Sequence, residues 1–485
     1  MFEYDPRKSI CTCARVTYAD MAEAVEKGAK TVADIREKTR ATAFCGSCTE
    51  RVETFLNQLL AGEAKAMELP QEPGPTDDEI VAPGFRQVCE DIYYVGASDR
   101  AADRFEKQYP VPRGMSFNSY LLLDRKTVLF DTVDQSVREV FLRNVETLLA
   151  GRPLDYLIIH HMEPDHAATI AEVLRRWPKC QAVCTAGAKK MLGQFFGPDV
   201  VKRAQEIRDG ISMMVGKHIL SFHVAPMVHW PEVMVTYDRT SETLFSADAF
   251  GTFGALDGNL FADQVNFGDW LGEYRRYYTN IVGKYGGPVQ QLLQKAEKLS
   301  IKQICPLHGP IWRKDLDVIV DKYQKWSTYT PEEQGVLIAY ASIYGNTELA
   351  CQAMANALSE QGIRQVRMMD LSREHPSYVL AEAFRCSHLV LAAVTYNGGL
   401  FPDMEHFILN LKAHGLKNRT IALMENGSWA PVAARKMDEL LTGSENHVLG
   451  KKITLLSTLK VSQLKELDEL ATAMVSSMKE SASRA

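Results

Sequence analysis

The chain has 485 residues, enough for about two to four domains. Its 46% hydrophobic and 24% charged residues are typical of a globular protein, and a net charge of −6 argues against nucleic acid or an anionic membrane as partner. No apolar stretch approaches the ~20 residues of a membrane span, and the first residues, MFEYDPRKSI, lack the apolar core of an export signal. We therefore expect a cytoplasmic protein of several domains.

Cysteines are concentrated at the start of the chain. Four of the ten lie in the first fifty residues as two close pairs, C-T-C and C-G-S-C, and the others are scattered singly. In a cytosolic chain this pattern favours a metal cluster over disulfides. By ligand count the four thiolates suit a tetrahedral zinc or a [2Fe–2S] cluster equally well. The four predicted ligands are Cys11, Cys13, Cys45 and Cys48.

The spacing of these cysteines distinguishes the two kinds of site. Short helices are predicted at Tyr18–Lys27, Val32–Thr39 and Glu50–Leu60. C-x-C, a gap near thirty and C-x2-C, with a helix on each side, resemble the bacterioferritin-associated ferredoxin-like domain, which implies a [2Fe–2S] cluster; a structural zinc site is the alternative. We assign this domain to residues 1–61 and a proline-rich, acidic linker to residues 62–84.

The stretch LDYLIIHHMEPDHAATIAEVLRRW, residues 154–177, is the most informative part of the next region, 85–331. An apolar run is followed by His161, Glu163, Asp165 and His166, and then by a pattern of helical period. This predicts a buried strand, a loop and a helix that begins near Asp165. Charges on such a loop need partners, and a metal ion is a common partner for all four side chains. The H-x-E-x-D-H spacing therefore predicts a metal site.

Three more candidate ligands follow strand-like runs. His229 comes after SFHVAPMV, Asp248 ends TLFSAD, and His308 ends KQICPL. An α/β sheet places its functional site at the carboxyl ends of its strands. The total is then four histidines and three carboxylates, which one tetrahedral zinc cannot use but two metals can. If Asp248 bridges, each metal receives two histidines and one terminal carboxylate, the ligand set associated with non-haem iron.

Residues 332–485 change character. The buried strand VLIAYA precedes the loop SIYGNT and a helix, and four further strands alternate with helices. This doubly wound, five-stranded pattern resembles flavodoxin. The loops TYNGG and NGSW follow later strands, where flavodoxin-like domains hold the isoalloxazine ring. We predict that three loops bind FMN. The first consists of Ser342, Ile343, Tyr344, Gly345, Asn346 and Thr347, the second of Thr395, Tyr396, Asn397, Gly398 and Gly399, and the third of Asn426, Gly427, Ser428 and Trp429.

Two features limit the interpretation of these loops. Backbone amides at a helix amino terminus bind phosphate without a basic residue, but such a loop alone is a weak signal. Tyr396 and Trp429 are placed to pack on a flavin ring. Alternatively, they are aromatic residues at the rim of the loops with no role in binding. The chain lacks G-x-G-x-x-G with a downstream acid, which argues against a NAD domain.

The central region resembles a known family. Metallo-β-lactamases usually show H-x-H-x-D-H, and Glu163 in place of the second histidine is similar to the flavodiiron proteins, as are IYYVGASD, VPRGMSFNSYLL and VLFDTV. The resemblance covers residues 86–475. It implies an αββα sandwich followed by a flavodoxin-like domain, with the small helical iron–sulfur domain in front of them.

The resemblance also implies a ligand set. One iron would take His161, Glu163 and His229, the other Asp165, His166 and His308, with Asp248 bridging. The histidine at the position of His166 is not a ligand in every member. We interpret His160 as a supporting or structural residue, and His218 and His223 as ordinary strand residues.

The function implied is that of a flavodiiron reductase of O2, of NO or of both, with electrons passing from an external donor through [2Fe–2S] and FMN to the di-iron centre. The family also implies a head-to-tail dimer, or a dimer of dimers. Two alternatives are a zinc-type hydrolase with an electron-transfer module, which Glu163 and a flavin disfavour, and a redox or gas sensor. The sequence leaves open the preference between O2 and NO, the donor and the oligomeric state.

Overall fold

The computed structural model describes residues 2–6, 8–11, 14, 16–43, 46–67 and 84–484. The chain divides into two compact units, residues 1–82 and 83–485. Among the described helices, none has the length and apolar character needed to span a membrane. Cys13 and Cys45 lie outside the described residues, as does most of the predicted linker.

The first unit is a small helical domain with its own apolar core. Its helices are close to the predicted ones, and α1 and α2 each begin with a capping box in which a threonine and an aspartate satisfy each other's backbone N–H groups. Its elements are β1 (Phe2–Tyr4), β2 (Ser9–Cys11), β3 (Val16–Thr17), α1 (Tyr18–Glu26), α2 (Val32–Thr39), α3 (Thr49–Leu60) and β4 (Ala64–Ala66).

Strand β4 differs from the sequence prediction. It pairs in parallel with β1, and the Phe2 N–H donates to the Glu63 carbonyl at 2.6 Å. The predicted linker from residue 62 is therefore wrong at its start, because Ala64–Ala66 belong to the first unit. A three-residue strand of sequence AKA has no alternation long enough to reveal it.

The second unit begins with two sheets packed face to face. The seven-stranded sheet has the order β15-β14-β13-β12-β11-β6-β5, and the five-stranded sheet runs from β16 to β20 in chain order. The strands are β5 (Arg86–Cys89), β6 (Ile92–Tyr94), β7 (Ala97–Asp99), β8 (Arg104–Phe105), β9 (Tyr109–Pro110), β10 (Met115–Phe117), β11 (Tyr120–Leu123), β12 (Thr127–Phe130), β13 (Tyr156–Ile158), β14 (Gln181–Cys184), β15 (Ala204–Glu206), β16 (Ser212–Met214), β17 (Ile219–Val224), β18 (Met234–Asp238), β19 (Thr243–Phe245) and β20 (Gln303–Cys305).

Large apolar side chains join the two sheets. The rings of Phe130 on β12 and Phe245 on β19 stack with centroids 3.8 Å apart, and Tyr120 packs edge-on against Phe245. The two sheets and the helices that cover them form an αββα sandwich, which confirms the predicted fold. The helices are α4 (Arg138–Leu149), α5 (Pro164–Ala167), α6 (Ile170–Arg176), α7 (Ala186–Phe196), α8 (Pro198–Val201), α9 (Phe267–Tyr277), α10 (Gly286–Ala296) and α11 (Leu316–Ser327).

The last part of the chain is a doubly wound sheet whose five parallel strands have the order β22-β21-β23-β25-β26, the order of flavodoxin-like folds. A short sixth strand, β24, pairs antiparallel with β23 and was not predicted. Alternate residues of β21 face opposite sides: Leu337 packs under α13 to α15, and Ile338 under α12 and α16. Its elements are β21 (Glu333–Ala341), α12 (Asn346–Glu360), β22 (Val366–Asp370), α13 (Pro376–Arg385), β23 (Cys386–Tyr396), β24 (Gly399–Leu400), α14 (Pro402–Ala413), β25 (Thr420–Asn426), α15 (Ala433–Leu441), β26 (His447–Leu455) and α16 (Leu464–Arg484).

Buried arginines connect the sandwich to the flavodoxin-like domain. Arg275 on α9 forms an ion pair with Glu332, whose carboxylate also accepts from the Trp326 indole N–H at 2.7 Å. Arg276 donates to the Ser377 hydroxyl at 3.2 Å and lies over the Tyr378 ring. Since these side chains are buried, the two domains form a single packed body.

Arg419 provides a stability prediction. Its guanidinium is 1% exposed and donates to the carbonyls of Tyr329, Ala383, Phe384 and Lys417. Arg419→Met would leave these carbonyls without a donor, at a cost of about 3 kcal/mol. For a packed body of the size of residues 83–485, we expect the melting temperature in calorimetry to fall by about 3–4 °C. The exposed Arg435→Met is the control, with a change within ~0.5 kcal/mol; an equal effect of both variants would contradict the role of the buried donors.

Candidate dinuclear metal centre and flavin pocket

The seven predicted metal ligands converge at one end of the sandwich. His161 and Glu163 follow β13, and Asp165 and His166 lie in the short helix α5. The helix begins after Glu163, slightly before the predicted start, and Pro164 fixes its first turn. The remaining three, His229, Asp248 and His308, follow β17, β19 and β20. Ligands from both sheets thus meet at neighbouring strand ends.

The first group of ligands, here called position A, comprises His161, Glu163 and His229. A Glu163 carboxylate oxygen, Oε2, lies 3.2 Å from His161 Nε2 and 3.0 Å from His229 Nε2. Asp248 Oδ2 lies 3.3 Å from the same two nitrogens. Four potential ligand atoms therefore surround one point, at the separations that ligands of a shared ion adopt.

The second group, position B, comprises Asp165, His166 and His308. Asp165 Oδ2 lies 3.2 Å from the Nε2 atom of each histidine, and these two nitrogens are 3.1 Å apart. The other oxygen of Asp248, Oδ1, lies 3.3 Å from His166 Nε2 and 3.6 Å from His308 Nε2. Asp248 thus presents one oxygen to each position, which is the geometry of a bridging carboxylate.

The buried polar atoms fit two cations. Among the described residues, the carboxylate oxygens of Asp165 and Asp248 and the Nε2 atom of His229 are buried without a hydrogen-bond partner. Burying such groups unpaired is costly, and a cation between them removes the cost. Two histidines, a terminal carboxylate and a shared carboxylate per position suit non-haem iron with open coordination sites.

The electrostatics agree with a site for positive charge. Burial alone would raise the pKa of Asp248, but the neighbouring histidines, His166 first, hold it well below its usual range. Burial likewise would lower the pKa of His229, yet Asp248 and Glu163 raise it to about 9. These pKa shifts show that the carboxylates favour positive charge between them, whether it comes from protonated imidazoles or from bound cations.

Residues behind the ligands were not predicted from the sequence. The Glu232 carboxylate contacts His161 Nδ1 at 2.8 Å, and the Ser116 carbonyl contacts His308 Nδ1 at 2.6 Å. Glu232 lies three residues after His229, so proximity in the sequence was the one available signal. Ser116 is distant from every ligand in the chain; it lies in the stretch VPRGMSFNSYLL, which carries the family resemblance but does not indicate a contact with His308.

The other histidines of this region lie outside the ligand groups. His160 contacts Asp131 and lies 2.7 Å from the Thr236 hydroxyl, which agrees with a supporting role. His218 was interpreted as a strand residue, but it precedes β17 and is buried against Asp238 at 2.7 Å. His223 lies on β17 as predicted.

A cavity of about 430 Å³ opens onto Glu163 and Asp165. Its lining includes the apolar side chains of Phe105, Met115 and Phe117. Glu106, in the turn between β8 and β9, is exposed at its rim, and partial burial of its carboxyl together with the Glu163 charge raises its pKa to about 8. The lining also carries the charged side chains of Asp99, Arg104, Lys107 and Asp134, so the cavity joins apolar surface to several charged groups beside Glu163.

The three predicted flavin loops surround a second cavity, of about 450 Å³, at the carboxyl edge of the flavodoxin-like sheet. This volume is within the ~300–1,000 Å³ range of cofactor pockets. Gly345 and Gly399 are absent from its lining: Gly345 precedes α12 with φ of 86°, and Gly399 lies on β24. Val394, Ala430 and Ser457 line the cavity and were not predicted. The predicted residues that do line it are Ser342, Ile343, Tyr344, Asn346, Thr347, Thr395, Tyr396, Asn397, Gly398, Asn426, Gly427, Ser428 and Trp429.

Polar groups in this cavity fit a flavin phosphate and ring. Helix α12 directs its amino terminus into the first loop, where the Ser342 hydroxyl orders the turn by accepting from the Gly345 N–H at 3.1 Å. Asn426 is 5% exposed, and its Oδ1 has no hydrogen-bond partner among the described residues. This oxygen is a ready acceptor for a ligand N–H or O–H group.

Trp429 provides a test of the pocket. Its side chain is 87% exposed although it lines the cavity, so a stacked ring would cover it. We expect Trp429→Ala to weaken FMN binding about 2- to 10-fold, measured by fluorescence titration of the deflavinated protein. Phe195→Ala, at a 50% exposed position of α7, is the matched control and should leave the affinity unchanged. Equal affinities for Trp429→Ala and the wild type would exclude stacking.

Two of the four predicted cluster cysteines are described. Cys11 and Cys48 are buried in the first unit, and burial together with the adjoining Cys11 thiol raises the pKa of Cys48. Cys48 immediately precedes α3. These two thiols adjoin each other, as two ligands of one cluster would.

Two parts of the chain match known domain families. Residues 115–309 match the ODP family β-lactamase, and residues 9–58 match the BFD-like [2Fe-2S] binding domain. The first match covers all seven candidate metal ligands, and the second covers the four cysteines.

Similar proteins extend the likeness to the later domain. The anaerobic nitric oxide reductase flavorubredoxin of Vibrio vulnificus is 28% identical over 360 residues, 73% of this chain and 72% of the relative. The protein of the same name from Shigella flexneri is 29% identical over 360 residues, with 73% and 74% covered.

Solved structures show the same fold. The rubredoxin oxygen:oxidoreductase of Desulfovibrio gigas covers 82% of this chain and 99% of its own, with a TM-score of 0.77 and 24% identity. The flavodiiron protein of Giardia intestinalis covers 82% and 98%, with a TM-score of 0.77 and 22% identity. The fold and site thus define a β-lactamase-type metal protein joined to a flavodoxin-like domain. The resemblance to the flavodiiron proteins is confirmed, with a BFD-like domain at the amino end.

Proposed function

We propose that the chain is a flavodiiron oxidoreductase that reduces NO, O2 or both. The observation that carries this proposal is the pair of histidine–carboxylate groups that share Asp248. Relatives named anaerobic nitric oxide reductase and a neighbour named rubredoxin oxygen:oxidoreductase support the two substrates. The proposed iron ligands are seven residues: the three of position A, the three of position B, and Asp248.

The cofactors account for the electrons that these reactions consume. Two ferrous ions and reduced FMN, when bound, would supply the four electrons that take O2, with four protons, to two waters. Coupling two NO to N2O and one water needs two electrons and two protons. The protein residues therefore have to admit a small apolar gas, exclude competing ligands and deliver protons.

The cavity above the metal ligands suits these tasks. Phe105, Met115 and Phe117 provide apolar surface for a small diatomic gas beside Glu163 and Asp165, and charged side chains line the rest of the cavity. The Glu106 carboxyl lines the same cavity beside Glu163, where protons are consumed in either reaction. We assign proton delivery at the centre to this carboxyl.

The first unit is assigned the role of electron acceptor. A [2Fe–2S] cluster held by Cys11, Cys13, Cys45 and Cys48 would take electrons from an external donor and pass them to FMN. The proposed boundaries are 1–61 for this domain, 85–331 for the di-iron domain and 332–485 for the FMN domain, with the short strand β4 added to the first. The match of residues 9–58 to a [2Fe-2S] binding domain supports this assignment.

A head-to-tail dimer, or a dimer of dimers, and a cytoplasmic location complete the proposal. The rim of the flavin pocket supports a partner surface, since Tyr344 is 91% and Trp429 87% exposed. Light scattering of the holoprotein measures the assembly; a monomer that turns over at full rate would exclude the dimer.

The decisive experiment compares gases side by side. The protein is reduced anaerobically and mixed with O2 or NO, while spectra follow cluster, flavin and iron and gas consumption is recorded. Rapid reoxidation with formation of water or N2O supports the proposal. Two zinc ions per chain after growth with adequate iron would indicate the hydrolase, and reoxidation over minutes without product would indicate a sensor.

A further inference from the structure

The two metal positions differ in what lies behind their histidines. At position A, Glu232 Oε1 accepts from the Nδ1 side of His161 at 2.8 Å and from the Met162 N–H at 2.9 Å. At position B, the Nδ1 atom of His308 meets the neutral Ser116 carbonyl at 2.6 Å. His166 Nδ1 is buried without a hydrogen-bond partner among the described residues. Position A therefore has a carboxylate that position B lacks.

Glu232 is buried, and contacts with the start of α7 hold its backbone and Cβ. It is 3% exposed, and its backbone carbonyl accepts from the Thr185 hydroxyl at 2.8 Å. A Cβ added at Gly187 would lie 2.9 Å from the Glu232 Cβ, so helix α7 approaches this residue as closely as a glycine allows. These contacts hold the Glu232 backbone and Cβ, and the buried carboxylate is held at His161 by its Oε1 contacts with His161 Nδ1 and the Met162 N–H.

A carboxylate behind a ligating histidine fixes the tautomer and increases the donor strength of the other ring nitrogen. Here that nitrogen is His161 Nε2, which faces Glu163 and Asp248. A stronger donor and a nearby negative charge both stabilise the more highly charged state of a metal ion. This stabilisation applies to position A and is far weaker at position B.

We propose that Glu232 is a positioning residue that makes the two irons inequivalent, so that the iron at position A has the lower reduction potential. The inference rests on the proposed di-iron centre. With iron bound, the Glu232 carboxylate behind His161 would favour the ferric state at position A, so that position B would be the easier of the two to reduce.

The test is a mediated redox titration of the full-length holoprotein enriched in 57Fe, followed by Mössbauer and electron paramagnetic resonance spectroscopy. We expect two separate midpoints in the wild type, with the mixed-valent signal between them. Glu232→Gln keeps both acceptor contacts and removes the charge, so the lower midpoint should rise and the mixed-valent signal should shrink. Asp238→Asn, at the buried His218 pair outside the ligand groups, is the matched control and should leave both midpoints unchanged.

Iron content distinguishes the remaining outcomes. If Glu232→Gln binds iron more weakly, the loss should be about 10- to 100-fold in affinity and confined to position A, leaving one ferrous species. Two full irons with unchanged midpoints, equal shifts of both, or equal loss from both positions would overturn the inference. A wild type without two redox-active irons would instead overturn the proposed function.

Discussion

Asp248→Ala is expected to reduce the iron content from two ions per chain to background and to abolish gas reduction. The two Asp248 oxygens face different positions, with Oδ2 3.3 Å from His161 Nε2 and Oδ1 3.3 Å from His166 Nε2. Two cations in neighbouring sites repel each other, and a shared carboxylate both ligates them and offsets that repulsion. Water replaces the ligand atoms but not the charge. Iron analysis by plasma mass spectrometry gives the result.

Asp165→Ala is the comparison that makes this result specific. Asp165 contacts His166 and His308 but belongs to position B alone. Its removal should therefore weaken one iron and retain the other, whereas Asp248→Ala should lose both. Flavin content and the far-ultraviolet spectrum report on folding in both variants. Retention of two irons by Asp248→Ala would refute the bridging assignment.

Cys48→Ser should eliminate the [2Fe–2S] absorbance and reduce donor-driven turnover to background, while FMN and the two irons stay bound. Cys48 is 3% exposed and adjoins Cys11 in a unit whose core is separate from that of the sandwich. A serine oxygen is a poorer ligand than a thiolate for this cluster. Cys45→Ser is expected to behave in the same way.

An artificial reductant separates electron entry from gas reduction. Flavin reduced directly by dithionite should still support O2 or NO consumption in Cys48→Ser. Cys89→Ser, at a half-buried cysteine of the second unit, is the control and should retain cluster and turnover. Donor-driven turnover that survives the loss of the cluster would show that electrons enter elsewhere.

The sequence was sufficient to predict the fold and the convergence of the seven candidate ligands, because both depend on local patterns. The division of these ligands into two groups came from the family resemblance. Buried strands such as VLIAYA are continuous apolar runs, and the ligands follow the strand ends at which α/β sheets form their sites. His161 and His308 are distant in sequence, yet they could be assigned together because each ends such a strand. The flavin loops were found for the same reason.

Residues whose role depends on tertiary packing could not be predicted. Glu232 reaches His161 because the loop before β18 packs against Thr185 and Gly187 at the start of α7. Ser116 acts through a backbone carbonyl that any residue type provides. Ser457 joins the flavin pocket only because β26 pairs with β25 in the sheet. Strand β4 forms through pairing with β1, to which its own residues contribute little preference.

The pairing of β1 with β4 has a consequence for how such a chain is assembled. Phe2 lies opposite Ala64 and Tyr4 opposite Ala66, so the first and the last strand of this small fold are direct neighbours. A module whose terminal strands are neighbours can be joined to another protein, removed or exchanged without opening its core. Under the proposed function, replacement of this module would change the electron donor and leave the proposed metal centre as it is.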